Sequence, residues 1–295
     1  MSDSSKNETV EKSFKWLSAQ NIDTIKELSR IVSAHALWDL PNPYTTRLIL
    51  EKKAGAWNAS VRDTARACSA LADAGIVFRE SAKWLLDKKT GSSWNEDVYD
   101  TAYALRALGE MEVSDRAACR WLYENYGSSW EQVGTTALII TALQKQVGLK
   151  EEEGAGEDTN WAEGNNPAER NNPAEVNNPA EGKKKDKEIN EGSNKEIEVK
   201  KLRIFIKERA NWLLSKRGPE GSWTHISTSN LVIQALLLTG FEEEAKASIR
   251  WLLNEVRESG AWGNKREDVN ATALSLITLG ISRPRLEARK EFIPE

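Results

Sequence analysis

Along most of the chain, apolar positions recur at helical spacing, and two kinds of segment alternate. Glu80-Ser-Ala-Lys-Trp-Leu-Leu-Asp-Lys-Lys89 carries a single apolar stripe, the mark of an amphipathic helix with one wet face. Asp100-Thr-Ala-Tyr-Ala-Leu-Arg-Ala-Leu108 has small and apolar residues around nearly its whole circumference, which predicts a buried helix. The second text returns at Asp63-Thr-Ala-Arg-Ala-Cys-Ser-Ala-Leu71, Thr135-Thr-Ala-Leu-Ile-Ile-Thr-Ala-Leu143 and Ala271-Thr-Ala-Leu-Ser-Leu-Ile-Thr-Leu279. Each repeat therefore pairs an outer, half-wet helix with an inner, buried one.

Tryptophan sets the period. The 12 Trp residues outnumber Phe and Tyr together, and five begin a Trp-Leu pair: Trp16, Trp84, Trp121, Trp212 and Trp251. A Gly-plus-Trp element follows the last four, at Gly91–Trp94, Gly127–Trp130, Gly221–Trp223 and Gly260–Trp262, and a fifth stands at Gly55–Trp57. Trp57, Trp94 and Trp130 lie 37 and 36 residues apart, and Trp223 and Trp262 lie 39 apart, which fits one helix–turn–helix unit per repeat. The Gly is expected to end the outer helix in a left-handed cap. The Trp is expected to wedge between neighbouring hairpins, contributing on the order of 2–3 kcal/mol each from buried area.

Five hairpins are predicted at 43–75, 79–111, 114–147, 200–240 and 242–281, and a divergent sixth at 7–38. The fold class is thus all-α. Six hairpins suffice to close an α/α toroid with the second helices inside, although an open helical-hairpin superhelix has the same local pattern. Residues 1–6 and 282–295 are expected to be a disordered start and a C-terminal tail. The two halves of the toroid, 7–150 and 200–281, are separated by 151–199.

That segment changes the reading of composition. It repeats Asn-Asn-Pro-Ala-Glu three times from Asn165, and it carries 14 acidic and 6 basic residues. Its charge of −8, against −4 for the whole chain, leaves the remainder at +4. Low hydrophobicity, Asn-Pro and dense charge predict a disordered surface loop, with a docking tail as the functional alternative. A balance of +4 is too weak to predict nucleic-acid binding. The polar start predicts no signal peptide, and the longest apolar run, Leu231 to Phe241, is about half a membrane span. No integral membrane segment is expected; a peripheral contact stays open. Cys68 and Cys119 have no Cys-x-x-Cys spacing and read as core residues in a reduced, cytoplasmic setting. His35, alone on an apolar helix, reads as core too.

Trp-Leu, the Gly-x-Trp junction and an inner helix opening Asp-Thr-Ala resemble the repeat of the squalene–hopene cyclase and protein prenyltransferase superfamily. The resemblance covers about 43–147 and 200–281 and implies an α/α toroid with a central apolar cavity. The Gln of the cyclase repeat is absent: Lys89, Tyr126, Arg217 and Val256 stand in its place. Class II cyclases of that superfamily protonate an alkene or epoxide with the middle Asp of Asp-x-Asp-Asp-Thr-Ala, a strong acid in a dry pocket. Here the text is Asp97-Val-Tyr-Asp100-Thr-Ala102, with Tyr99 where the acid belongs. Asp97, Asp100 and Tyr99 are the candidate catalytic residues that the resemblance implies.

In a closed ring the starts of the inner helices converge on one mouth, where Asp63, His225 and Asp268 are candidate ligand-binding residues. Helix capping accounts for the same Asp and Thr residues without any chemistry. The zinc site of prenyltransferases needs Asp-x-Cys, which does not occur; no metal, cofactor or nucleotide is expected. Three functions follow. One is a divergent toroid that binds an isoprenoid or other apolar ligand, or a partner protein. The second is a terpenoid cyclase or transformase using Asp97 and Asp100. The third is a carbohydrate-active toroid with two carboxylates, such as Asp63 and Asp268, across the mouth.

Overall fold

A computed structural model describes the backbone of residues 3–149 and 181–283 and the side chains of 8–149 and 196–283. The described residues form twelve helices and no strand beyond isolated bridges. The outer layer is α1 (Asp3–Ser18), α3 (Tyr44–Leu50), α5 (Arg79–Asp87), α7 (Arg116–Glu124), α9 (Glu181–Ser215) and α11 (Glu242–Asn254). The inner layer is α2 (Ile25–Leu37), α4 (Val61–Asp73), α6 (Val98–Glu110), α8 (Val133–Val147), α10 (Ile226–Leu238) and α12 (Val269–Ser282). Each inner helix packs on the next, and α12 packs on α2, so the ring is closed. An outer and an inner helix stand within each of the six expected ranges. Among the described residues no helix is long and apolar enough to cross a membrane.

The inner helices start alike because their sequences start alike. Each opens on a β-branched residue (Ile25, Val61, Val98, Val133, Ile226, Val269) directly after its N-cap. Thr24, Ser60, Asp97 and Asp268 cap with their side chains, and Thr24 completes a capping box with Glu27. Four positions beyond the N-cap, a buried Thr or Ser locks the junction. Trp57, Trp94, Trp223 and Trp262 each donate their backbone N–H to the hydroxyl of that residue (Thr64, Thr101, Ser229, Thr272) at 3.0–3.1 Å. Their indole N–H groups donate to Leu48, Leu85, Leu213 and Leu252 carbonyls of the outer helices at 2.6–2.9 Å. A large apolar ring is buried and its one polar atom is satisfied, the condition under which Trp serves a core.

The third junction departs from this. Its turn is one residue shorter between Gly127 and the N-cap Gln132 than between Gly91 and Asp97. Trp130 stays half-buried and leans on Trp121 at 5.2 Å, and Tyr126 takes the hydroxyl partner, Thr136, at 2.8 Å.

One expectation about the junctions is corrected. The junction glycines do not cap the outer helices, which end several residues earlier on Glu51, Lys88 and Glu255 in right-handed geometry. Gly221 (φ +97) and Gly260 (φ +89) turn the chain where it presses on the following outer helix. A Cβ would lie 3.1 Å from Ala247 O in one case and 2.7 Å from the Lys12 backbone in the other. Helix α1 begins at Asp3, where Asp3-Ser-Ser is a favourable first turn. Helix α9 runs from Glu181 through a stretch of Lys and Glu with high helix propensity. Residues 151–180 and 284–295, expected as loop and tail, lie outside the described residues.

Ring closure has its own contacts. Ser13 donates to the Gly260 carbonyl at 2.6 Å, Trp38 to the Leu276 carbonyl at 2.9 Å, and Arg30 to Asn270 Oδ1 at 2.9 Å. Gly280 lies against Leu37 and Trp38, where a Cβ would come within 3.0 Å.

Candidate functional site at the mouth and lumen of the ring

The N-termini of all six inner helices face one mouth. Asp97 is the N-cap of α6: its Oδ1 accepts the Asp100 N–H at 2.8 Å and Arg62 at 3.0 Å. Asp100 accepts Arg62 Nε at 2.7 Å on one oxygen and Asn95 at 2.9 Å on the other. Asp63 accepts Asn58 at 3.0 Å and Arg66 at 3.2 Å. Asn58 and Asn95 occupy left-handed backbone (φ 53° and 54°), so the Asp of each Asp-Thr-Ala text pins a strained turn. These carboxylates are arranged as hydrogen-bond acceptors. Tyr99 is 40 % exposed, bonds Thr135 Oγ1 at 3.0 Å and lies under Arg62, 5.5 Å from its ring. Arg62 thus gathers all three candidate catalytic residues. Asp268 caps α12 through the Ala271 N–H at 2.7 Å, and His225 precedes α10 exposed and without a side-chain cap bond. His225 joins none of the others.

Below the mouth, residues six positions after each N-cap share one inward register: Arg30, Arg66, Tyr103, Leu138, Leu231 and Leu274. Arg66 lies over the Tyr103 ring at 4.7 Å, and Arg30 faces the same phenol although α2 and α6 are not adjacent. The contact therefore crosses the lumen. Burial alone would raise the Tyr103 pKa, but Arg66 and Arg30 outweigh it and hold the phenol below its usual range. Burial, reinforced by Arg66, brings Arg30 down to about 10. At the far end Arg106 donates to Glu110 at 3.0 Å, and Lys145 of α8 stands 3.3 Å from the same oxygen. Burial and then Glu110 push Asp73, on the neighbouring α4, up to about 6.

The uniformly apolar centre expected from the resemblance is not found, and neither cleft among the described residues is lined by Leu138, Leu231 or Leu274. The wall made by α2, α4 and α6 is cationic and phenolic; only that of α8, α10 and α12 is apolar. Helices α4 and α6 read as apolar nearly all round because their charged residues stand among alanines and leucines. Arg62, Arg66, Tyr103, Arg106, Asp73 and Glu110 do not stand out in the sequence, and their spacing from the N-cap is the signal that finds them. The cysteines are free and buried, their thiols pushed up to about 12 by burial. His35 is core: its Nδ1 is 2.9 Å from the Ile31 carbonyl, and it packs on Phe14. No group of His, Cys, Asp or Glu among the described residues could hold a metal ion.

This geometry is that of a closed all-α toroid. Among solved structures it is similar to ent-copalyl diphosphate synthase from Streptomyces platensis, with a TM-score of 0.56 and 16 % identity over 88 % of this chain. The match covers 50 % of the synthase, so the chain spans about half that protein's length. The likeness is one of fold. No family model and no curated protein matches the sequence.

Proposed function

We propose that this chain is a cyclase-like toroid that binds an isoprenoid or other apolar ligand and does not start a reaction by protonating it. The difference between the two sides of the ring's interior carries the reading. Leu138, Leu231 and Leu274 offer an apolar wall of the kind ligand sites favour. On the other side Arg62 occupies the carboxylates of Asp97 and Asp100, and Tyr99 stands where an acid is needed. A phenol is too weak to protonate an alkene, and a carboxylate already accepting from a guanidinium and a backbone N–H has no proton placed to give. The repeat text, which resembles that of prenyltransferases and squalene cyclases, supports the same ligand class.

The test is to incubate the protein with geranylgeraniol, follow binding by quenching of tryptophan fluorescence, and extract the mixture for products. Saturable binding weakened at least tenfold by Leu231→Asp, with the alcohol recovered unchanged, is the expected result. Turnover lost in Asp97→Asn would establish a cyclase or transformase instead. Absence of binding would favour the partner-protein reading, which Leu50, 76 % exposed on the outer layer, supports. A cytoplasmic location fits two free, buried thiols.

A further inference from the structure

Tyr103 stands one turn below Tyr99 on α6, half-buried, and its phenol differs from the other tyrosines of the ring in what faces it. Tyr99 bonds the Thr135 hydroxyl and Tyr126 the Thr136 hydroxyl, so each has a partner able to take its proton. The partners of Tyr103 are guanidinium groups. Arg66 of α4 lies over its ring at 4.7 Å and donates towards the phenol, and Arg30 does the same from α2. A guanidinium carries donors and no acceptor, so neither can take the Tyr103 proton. Among the described residues the phenol has no further hydrogen-bond partner.

The cations around it are themselves anchored. Arg66 bonds Asp63 at 3.2 Å, Arg30 bonds the neutral Asn270 at 2.9 Å, and Arg106, the next cation along α6, bonds Glu110 at 3.0 Å. Helices α8, α10 and α12 bring one ionisable residue between them, Lys145, which also sits on Glu110. We propose that Tyr103 is an acid–base group of the ring interior, whose phenol donates to the oxygen of an alcohol or carbonyl ligand while Arg30 and Arg66 steady the charge left behind. In full transfer the phenol O–H breaks, an O–H forms on the ligand, and the electron pair stays on the phenol oxygen until the proton returns. An oxygen lone pair accepts a proton far more readily than an alkene, so a phenol too weak for the second can serve the first. Burial works against ionisation of the phenol, but Arg66, Arg30 and Arg106 outweigh it and lower its pKa, which agrees with this role. The choice of ligand rests on the reading of the interior as a binding site; the reactivity of the phenol does not.

The full chain is treated with N-acetylimidazole near neutral pH, and the acetylated tyrosines are mapped by peptide mass spectrometry. The phenolate oxygen attacks the acyl carbon and imidazole leaves, so the reagent reads phenolate character and access together. Exposure alone puts Tyr99 (40 %) and Tyr123 (37 %) first. An activated Tyr103 is expected to react at least threefold faster than either, and Arg30→Gln or Arg66→Gln should remove that lead. Tyr103→Phe keeps the ring beneath Arg66, so it tests the oxygen without removing the packing. In tryptophan-quenching titrations the parent should bind geranylgeraniol at least tenfold more tightly than the hydrocarbon in which hydrogen replaces its hydroxyl. Tyr103→Phe should bind the two alike. Tyr99 or Tyr123 reacting ahead of Tyr103, a lead that survives loss of either arginine, or equal affinities in the parent would overturn the role. Binding of neither ligand would sink the leucine-wall reading instead, and the acetylation order would then decide for or against Tyr103.

Discussion

The junctions within the hairpins and the interior of the ring were built from the same repeats but under different constraints. At four junctions, Trp57, Trp94, Trp223 and Trp262 make the same two hydrogen bonds to equivalent partners. Six positions beyond the N-cap, by contrast, the inner helices present Arg, Arg, Tyr, Leu, Leu and Leu. A junction Trp fills a slot between an outer helix and its own inner partner, so every copy faces the same shape. A lumen side chain faces different neighbours across the ring, and its identity is free to vary. The repeated positions hold the fold, and the unrepeated ones set the polarity of its interior.

Removing a junction puts this division under the heaviest strain. Trp94→Ala is expected to cost about 3–5 kcal/mol in urea unfolding, whereas Trp130→Ala, at the irregular junction, should cost about 1 kcal/mol. Equal losses would mean that the third junction is as well packed as the others. Next comes the lumen. Glu110→Gln strips Arg106 and Lys145 of their shared carboxylate and should destabilise by roughly 3 kcal/mol at pH 7.

Asp73 behaves in the opposite sense. Its pKa is raised from 3.8 to about 6, so the folded state holds the proton more tightly than the unfolded one. The stability this group contributes is full below about pH 4 and falls as the pH rises to about 6. Asp73→Asn should accordingly gain on the order of 2 kcal/mol over the parent at pH 7, the gap closing in urea titrations taken down through pH 6 towards 4. The smallest effect belongs to the cap. Asp97→Ala should cost about 1 kcal/mol and Asp97→Asn only a few tenths, since Asn caps as well. A much larger loss in Asp97→Asn, measured by thermal melting, would show that its charge matters to the fold through Arg62.

What the sequence made legible follows the same division. The six hairpins and their layers could be read from Trp-Leu, Gly-x-Trp and Asp-Thr-Ala because each is repeated, and repetition separates signal from composition. Closure of the ring could not, since its contacts join residues such as Ser13 and Gly260, 247 positions apart, that share no motif. Asp97 and Asp100 stood out as a pair. Their partner Arg62 did not, because it belongs to the preceding repeat and shows itself only when the inner helices are laid side by side. The junction glycines are conspicuous in the sequence, but their role is not that of helix caps. Their neighbours are the backbones of α11 and α1, and no local pattern announces a close approach between distant segments.

A closed ring also changes how the protein can come apart. In a linear stack the last repeat has one neighbour and frays first, which is why such arrays need polar end units. Here α12 rests on α2 as α2 rests on α4, so every hairpin has two flanking partners and none is terminal. Detaching any one of them breaks two interfaces at once and leaves a gap with two exposed edges. The described core should therefore melt as one unit, with the last hairpin as firmly held as the third, although the chain that closes the circle runs in a single direction and is joined to itself only by packing.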